Sequence, residues 1–212
     1  MSDERAIAEC FDQEVGCCTP RMLEKKRSRG RALADAIEAS GIGGLSVLEI
    51  GSGLGELARE LVRRGAKTVD GIDLSPESVR IANAATEEEG LTEVVTFTVA
   101  NGATVPLTRH DVVVLDRVIC CYPNAQELLA HTTSAAERMF AFKLPHYEGT
   151  IRKVFWKIAF AVENGYHAVR RRGFRAYLHD VDRIDRWLKD AGFSMTQRFS
   201  RRGWLHAVYV RN

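Results

Sequence analysis

The chain has 212 residues and 23.7 kDa, with 45% apolar and 27% charged residues, which suits one α/β domain and excludes a disordered or fibrous protein. The net charge of +2 conceals a division along the chain. Residues 150–212 contain 14 Lys and Arg against 5 Asp and Glu, a charge of +9, whereas residues 1–149 contain 16 against 23, a charge of −7. An asymmetry of this kind often concerns ligands.

Several classes of protein are excluded by local composition. No apolar run reaches the roughly 18–20 residues that cross a bilayer, and the polar start Met1–Arg5 is unlike a signal peptide. The cysteines show neither C-x-x-C nor zinc-ligand spacing, so no metal site is predicted. These features predict a reduced, cytoplasmic protein. The five cysteines are Cys10, Cys17, Cys18, Cys120 and Cys121.

Apolar runs alternate with helical patterns, which predicts a parallel sheet with crossover helices. Strong helix starts are Ser75 followed by Pro76, and Asn124 with Glu127 three residues later. The last two strands flank a tight turn and are expected to be antiparallel. In chain order the predicted elements are a helix at 21–39, a strand at 46–50, a helix at 55–64, a strand at 68–72, a helix at 75–89, strands at 94–99 and 112–115, a helix from Asn124, a strand at 139–144, a helix at 151–163, a short segment at 174–178, a helix at 181–191, and strands at 193–199 and 205–210.

The helix predicted near 151–163 has a strongly apolar face. Its apolar residues recur at the three- and four-residue spacings that place side chains on one side of an α-helix. They are Ile151, Val154, Phe155, Ile158, Ala159 and Val162.

The most informative motif follows the strand at 46–50, where Gly51, Gly53 and Gly55 lead into a helix. Such a turn brings backbone N–H groups and a helix N-terminus close to a ligand. A dinucleotide site would have glycine at position 56, which is Glu56 here. Glu49, two residues before the first glycine, disfavours a pyrophosphate and favours a positively charged ligand.

Asp73 ends the second strand, 20 residues after Gly53. An acid at this position accepts hydrogen bonds from ribose hydroxyls. An ammonium group, a sulfonium and a ribose together describe S-adenosylmethionine.

The segment from Glu49 to Gly55, Asp73 and the element order resemble the class I S-adenosylmethionine-dependent methyltransferases over residues 41–212. The resemblance implies a doubly wound, Rossmann-like α/β fold, with seven mostly parallel strands in the order 3-2-1-4-5-7-6 and the last strand antiparallel. It also implies a glycine turn, including Ser52, that holds the methionine part of the cofactor. Asp73, followed by Leu74, would hold the ribose, and Asn101-Gly102 would border the adenine, with the Asn101 amide oxygen in place of the usual acid.

The end of the fourth strand should border the methyl group. Asp116 there is a candidate for contact with the cofactor ammonium or the acceptor, or for a salt bridge with a nearby arginine. Enzymes that methylate the amino groups of nucleic-acid bases carry the motif Asn/Asp-Pro-Pro-aromatic at this position. Here Asp116 is followed by Arg-Val-Ile, and this difference argues against that reaction. Candidate acid–base or stacking residues in the acceptor half are Tyr122, His146, Tyr147, Tyr177 and His179.

A second, local resemblance is to the magnesium-protoporphyrin IX O-methyltransferases, over about residues 111–211. It is carried by Tyr122-Pro123 with Glu127 to His131, and by Phe174 to His179. This resemblance implies esterification of a propionate, a nucleophile that needs no base. Arg171, Arg172 and Arg175 would then neutralise the acids of the acceptor.

These inferences together predict in-line methyl transfer to a small, acidic or aromatic acceptor, by O- or N-methylation. We expect residues 1–40, with the basic run Lys25 to Arg29, to form a helical lid on a catalytic domain at 41–212, together with residues 151–175. One alternative is metalloid or thiol methylation by Cys17, Cys18, Cys120 and Cys121. Another is a non-catalytic protein that binds the cofactor or RNA through its basic part. Neither the acceptor nor the oligomeric state follows from the sequence.

Overall fold

The computed structural model describes residues 3–16, 31–170 and 174–212. Within these ranges, strands and helices alternate along most of the chain. The strands are β1 Ser46–Ile50, β2 Thr68–Asp73, β3 Val95–Val99, β4 His110–Asp116, β5 Ala136–Pro145, β6 Phe193–Arg201 and β7 Trp204–Arg211. The helices are α1 Asp3–Gly16, α2 at 31–39, α3 Glu56–Arg63, α4 Pro76–Glu88, α5 Ala125–Ser134, α6 Thr150–Val169 and α7 Val181–Asp190, with one 3₁₀ turn at Ile119–Cys121.

The seven strands form one sheet in the order β3-β2-β1-β4-β5-β7-β6. Strands β1 to β5 are parallel to one another, whereas β7 is antiparallel to both β5 and β6. The predicted fold class, strand order and antiparallel end are therefore confirmed. The parallel register also fixes the site, because the carboxyl ends of β1, β2 and β4 meet at one edge of the sheet.

The sheet has an apolar core on each face, and β4 explains why its sequence is continuously apolar. Val112 and Val114 pack into the first core with α2 and α3, whereas Val113 and Leu115 pack into the second with α5 and α7. Successive side chains of a strand point to opposite faces, so a strand covered on both sides needs apolar residues throughout.

Capping residues start three of the helices, two of them predicted. Ser75 accepts a hydrogen bond from the Ser78 N–H at 3.0 Å, and Asn124 accepts one from the Glu127 N–H at 3.3 Å. Asp180 does the same at the start of α7. These side chains satisfy N–H groups that the first helical turn leaves without partners.

Two helices differ from the prediction. Helix α1 was not predicted, and of the helix predicted at 21–39 only residues 31–39 are described. Helix α6 is longer than predicted, ending at Val169. Its predicted apolar face exists but lies on the outside, because α6 packs through the opposite side, where Phe160 and His167 are buried. Among the described residues, no helix has both the length and the apolarity needed to cross a bilayer.

Candidate active site

The glycine turn after β1 needs glycine for two separate reasons. Gly51, Gly53 and Gly55 have φ values of +70°, +53° and +69°, a region that side chains with a Cβ disfavour. A Cβ on Gly51 would also lie 2.3 Å from Cγ2 of Val118, and one on Gly55 would lie 2.3 Å from the Phe97 ring. The turn therefore lies directly against the loop that follows β4.

Asp73 fixes this turn to the end of β2. Its carboxylate accepts hydrogen bonds from the Gly53 N–H at 2.7 Å and from the Ser75 N–H at 2.9 Å. Burial raises the pKa of Asp73, and the backbone donors oppose this effect. The carboxylate lies against a cavity, next to Leu74, and retains lone pairs for further donors.

Glu49 is a buried acid with an unpaired oxygen. Its side chain, on β1, is only 2% exposed, and Oε2 has no hydrogen-bond partner among the described residues. Burial, followed by the nearby charges of Asp116 and Asp73, raises the pKa of Glu49 well above its ordinary value. The Ser52 hydroxyl is also buried without a described partner. Both groups line the cavity and suit a ligand that brings positive charge and hydrogen-bond donors.

The cavity has a volume of about 400 Å³ and two chemically different ends. One end is formed by the glycine turn, Glu49, Asp73 and Asp116. The other end is apolar and comes from α1, α6, the segment at 174–176 and the start of β7. The residues of this aromatic wall are Ile7, Phe11, Trp156, Phe160, Phe174 and Trp204.

The expected adenine region is only partly as predicted. Gly102 lines the cavity, and a Cβ there would lie 2.5 Å from Ile50. Asn101 does not line it, and its amide oxygen already accepts hydrogen bonds from the Ala103 N–H at 2.9 Å and the Tyr122 hydroxyl at 3.0 Å. Its Nδ2 is buried without a described partner. The group that Asn101 leaves unpaired is therefore a donor and not the expected acceptor.

Asp116 lines the cavity but its charge is compensated. Its carboxylate pairs with Lys143 Nζ at 3.2 Å and with Arg117 Nε at 3.2 Å. The salt-bridge interpretation of Asp116 is therefore realised, with a buried lysine as a second partner. Both oxygens of the carboxylate therefore lie close to cationic groups of the protein itself.

The five other candidate acid–base or stacking residues are placed differently. Tyr122 lines the cavity, whereas His146, Tyr147, Tyr177 and His179 do not. His146 contacts the Ser200 hydroxyl through Nδ1 at 2.5 Å, and His179 contacts the Tyr122 carbonyl through Nε2 at 2.8 Å. Burial lowers the pKa of both histidines. The Tyr147 hydroxyl is buried without a described partner, and burial raises its pKa.

Sequence reasoning missed most of the aromatic wall. Its rings are contributed by segments far apart in the chain. Phe11 and Phe174 lie edge to face at 5.8 Å between centroids, and Trp156 is 5.5 Å from both Phe160 and Trp204. The available signal was the periodic helix at 151–163, where Trp156 and Phe160 lie on the side opposite the apolar face.

Basic residues and cysteines are also distributed unexpectedly. Arg175 is exposed and does not line the cavity, while Arg171 and Arg172 lie outside the described residues. Arg117 is the basic residue among those described that lines the cavity. Cys10, Cys120 and Cys121 line it as well, but Cys17 and Cys18 lie outside the described residues, and the part of the chain described contains no cluster of metal ligands.

Residues 47–138 match a family described as a methyltransferase domain. Solved structures with the same fold include magnesium protoporphyrin IX methyltransferase of Synechocystis PCC 6803 with bound SAH, at 23% identity over 100% of both chains and a TM-score of 0.74. A candidate sarcosine dimethylglycine methyltransferase of Galdieria sulphuraria has 14% identity over 89% of this chain and 87% of its own, with a TM-score of 0.71. A candidate RNA methyltransferase of Pyrococcus horikoshii has 14% identity, coverages of 87% and 84%, and a TM-score of 0.62. No curated protein matches the chain.

The sheet order and the methyltransferase domain define a class I methyltransferase fold. The chain is an S-adenosylmethionine-dependent methyltransferase. The predicted family, enzyme class and cofactor are confirmed.

Proposed function

We propose that this enzyme methylates a carboxylate oxygen of an aromatic small molecule. The observation that carries the proposal is a cavity lined both by the aromatic wall and by Arg117. A flat apolar acceptor suits the first feature, and an acid on that acceptor suits the second.

The cofactor end fits S-adenosylmethionine by its unpaired groups. We assign the amino-acid ammonium to Glu49 Oε2 and the Ser52 hydroxyl, which are buried and without described partners. The backbone of Gly51 and Gly53 lies beside them in the cavity lining, Asp73 would accept from the ribose hydroxyls, and Gly102 would border the adenine. When bound, the cofactor supplies a methyl group on a positively charged sulfur.

The acceptor half is assigned to the aromatic wall and Arg117. Arg117 uses Nε for Asp116, while its two terminal nitrogens have no described partner and its side chain is 38% exposed. These nitrogens can form a bidentate pair with a carboxylate. Arg117 adopts a left-handed φ of 63°, unusual for a residue with a side chain, which turns the chain sharply at the end of β4.

A carboxylate acceptor agrees with the absence of an available base among the described candidates. Asp116 is neutralised by Lys143 and Arg117, and His146 and His179 lie outside the cavity lining. An ionised carboxylate is already a nucleophile and requires no proton transfer. The enzyme would act by holding the acceptor oxygen about 3–3.5 Å from the methyl carbon, in line with the bond that breaks.

Helix α1 supports the lid expected for residues 1–40. It contributes Ile7, Cys10 and Phe11 to the cavity, and Asp12 accepts a hydrogen bond from the Ser75 hydroxyl at the start of α4. The complete sheet and the glycine turn lie within 41–212, the proposed catalytic domain. Covering the cavity would exclude water from the reacting groups.

The test is a methylation assay with matched acceptors. Purified enzyme and S-adenosylmethionine are incubated with aromatic carboxylic acids, and with the amide and alcohol of the same ring system, and methylated products are identified by mass spectrometry. We expect methyl esters of the acids only, with acceptor kcat/KM lowered in R117Q and unchanged in the exposed control R175Q. Methylation of the amide or alcohol with equal efficiency, or no effect of R117Q, would contradict the proposal.

A second candidate is metalloid or thiol methylation, because Cys10, Cys120 and Cys121 line the cavity. The hydrogen bond with Cys120 raises the pKa of the Cys121 thiol, and burial raises it further. Both effects disfavour the reactive thiolate. Arsenite and a small aromatic thiol in the same assay test this function. Their methylation, lost in C120S/C121S, would replace the carboxylate proposal.

Binding to RNA that weakens steeply with salt, without turnover of any acceptor, would support the non-catalytic alternative.

A further inference from the structure

Helix α6 carries a large apolar surface that the described protein does not cover. Its outer face, the side away from the cavity, has a succession of apolar residues at spacings of three and four. On this outer face Ile151 is 87%, Phe155 63%, Ile158 59%, Val162 68% and Val169 85% exposed, with Val154 and Tyr166 about half exposed. Contiguous exposed apolar surfaces on proteins usually mark an interaction site.

The outer face is exposed because α6 already packs against the protein through its other side. The opposite side of α6 is already engaged: Trp156 and Phe160 belong to the aromatic wall, and His167 is buried 3.8 Å from Cys10 Sγ. Rotating the helix to bury Ile158 and Val162 would expose these groups. Both sides of α6 are therefore apolar, but only one of them has a partner within the described protein.

The charges around the outer face are positive. Arg152 and Lys157 lie on the two flanks of α6, and Lys153 is exposed in its first turn; none of the three forms an ion pair with another described residue. Arg170 follows the helix, with its guanidinium 4.8 Å from the Tyr166 ring. The one acid of α6, Glu163, lies on the cavity side.

We propose that the outer face of α6 binds the surface of an anionic lipid bilayer. An apolar helix face bordered by Lys and Arg is the arrangement that lies in a membrane interface, with the apolar side chains among the acyl chains and the basic ones at the headgroups. Charge complementarity selects this occupant. A second α6 would bring Arg152, Lys153 and Lys157 against the same charges, and residues 17–30, with five Lys and Arg and one Glu, have the same sign.

The proposal also places the cavity relative to the membrane. Because α6 contributes Trp156 and Phe160 to the cavity through its other side, a bound enzyme would hold the aromatic wall within one helix diameter of the lipid. The inference does not depend on which acceptor the enzyme uses.

The test is co-sedimentation of the full chain with two kinds of vesicle, pure phosphatidylcholine and phosphatidylcholine with roughly 30% phosphatidylserine. We expect binding to the second kind only, weakened by salt. In I158E/V162E, binding should fall by more than about tenfold, because two apolar contacts are lost and two repulsive charges are added. The control Q126E/A130E places two carboxylates at the same spacing on exposed positions of α5.

The second variant tests the charges alone. R152Q/K157Q should weaken binding to the anionic vesicles and reduce its salt dependence, while the exposed control K67Q/R138Q should change neither. Circular dichroism of each variant verifies the fold, since all substituted positions are exposed. Equal binding to both vesicles, binding to neither, or an equal loss in Q126E/A130E would overturn the proposal. A dimer in sedimentation velocity that I158E/V162E dissociates would overturn it as well, in favour of self-association.

Discussion

The two ends of the cavity are built from different kinds of chain segment. The cofactor end comes from residues at the carboxyl ends of parallel strands, where Glu49, the glycine turn and Asp73 are held by the sheet. The acceptor end comes from α1, α6 and the segment around Phe174, which meet only in the folded protein. The first end presents buried polar groups that have no partner among the described residues, whereas the second presents packed rings. We infer that the cofactor end depends on electrostatics and backbone geometry, and the acceptor end on shape.

The largest effect is expected for G51A, which tests backbone geometry at the cofactor end. The new Cβ would lie 2.3 Å from Val118 Cγ2, and the φ of Gly51 is unfavourable for alanine. We therefore expect the free energy of unfolding to fall by about 2–4 kcal/mol and cofactor binding to be lost. Urea denaturation and calorimetry measure the two quantities.

G53A is the matched control for this clash. It has a similar φ of +53° but open space around the Cβ, so it should cost only about 1–2 kcal/mol. Adding V118A to G51A removes the clashing methyl group, so the double variant should lose about as little stability as G53A. Equal losses in G51A and G53A would mean that contact with the loop after β4 is unimportant.

The second prediction separates binding from stability at Glu49. In E49Q the cofactor should bind about 10–100-fold more weakly, because a charge-assisted hydrogen bond worth about 1.5–3 kcal/mol is lost. The free energy of unfolding without cofactor should not decrease, because a buried carboxylate without a described partner for Oε2 is costly. E137Q, at an exposed position, should change neither quantity. A less stable E49Q with normal binding would reverse the assignment.

The third prediction is a pH dependence of the same group. Because the pKa of Glu49 is raised in the folded protein, the neutral carboxyl contributes stability that is present below pH about 4.5 and is lost as the pH rises through the raised pKa. Binding of a cationic ligand requires the ionised form, so cofactor affinity should increase over that same range. Calorimetry across pH should show both trends in the native chain and weaker ones in E49Q, where Asp73 retains its raised pKa. Identical profiles for the two proteins would exclude Glu49 as the titrating group.

The smallest effect is expected at the acceptor end. F160L changes the shape of a buried ring in the aromatic wall, so we expect the acceptor KM to rise about fivefold, equivalent to about 1 kcal/mol, with cofactor affinity unchanged. F155L lies on the same helix but is 63% exposed and should leave the KM unchanged. A change in cofactor affinity in F160L would show that the two ends are not independent.

Much of the fold and the cofactor end could be predicted because they depend on neighbouring residues. Val112 to Leu115 form a continuously apolar strand, and Ser75 and Asn124 cap helices through groups three residues away. Gly51 to Gly55 likewise specify a turn whose backbone conformation other residues disfavour. Local sequence and local geometry are closely coupled in each case.

Other features depended on contacts between distant residues. Asp116 has Lys143 as its partner, 27 residues further along the chain and on the neighbouring strand. Asn101 has its oxygen occupied by Tyr122, which changes the group that remains unpaired. No spacing in the sequence indicates these pairs, because they arise from the register and order of the strands.

The charge division illustrates the boundary between the two kinds of information. The sequence by itself determined that residues 150–212 are basic and that the helix near 151–163 has an apolar face, and it predicted that Glu49 and Asp73 belong to a ligand site. Only the tertiary structure decided that the apolar face of α6 lies outside and that its basic residues border this face. Periodicity defines which residues share a side of a helix, but the side that is buried depends on which one fits the surface that the rest of the chain provides.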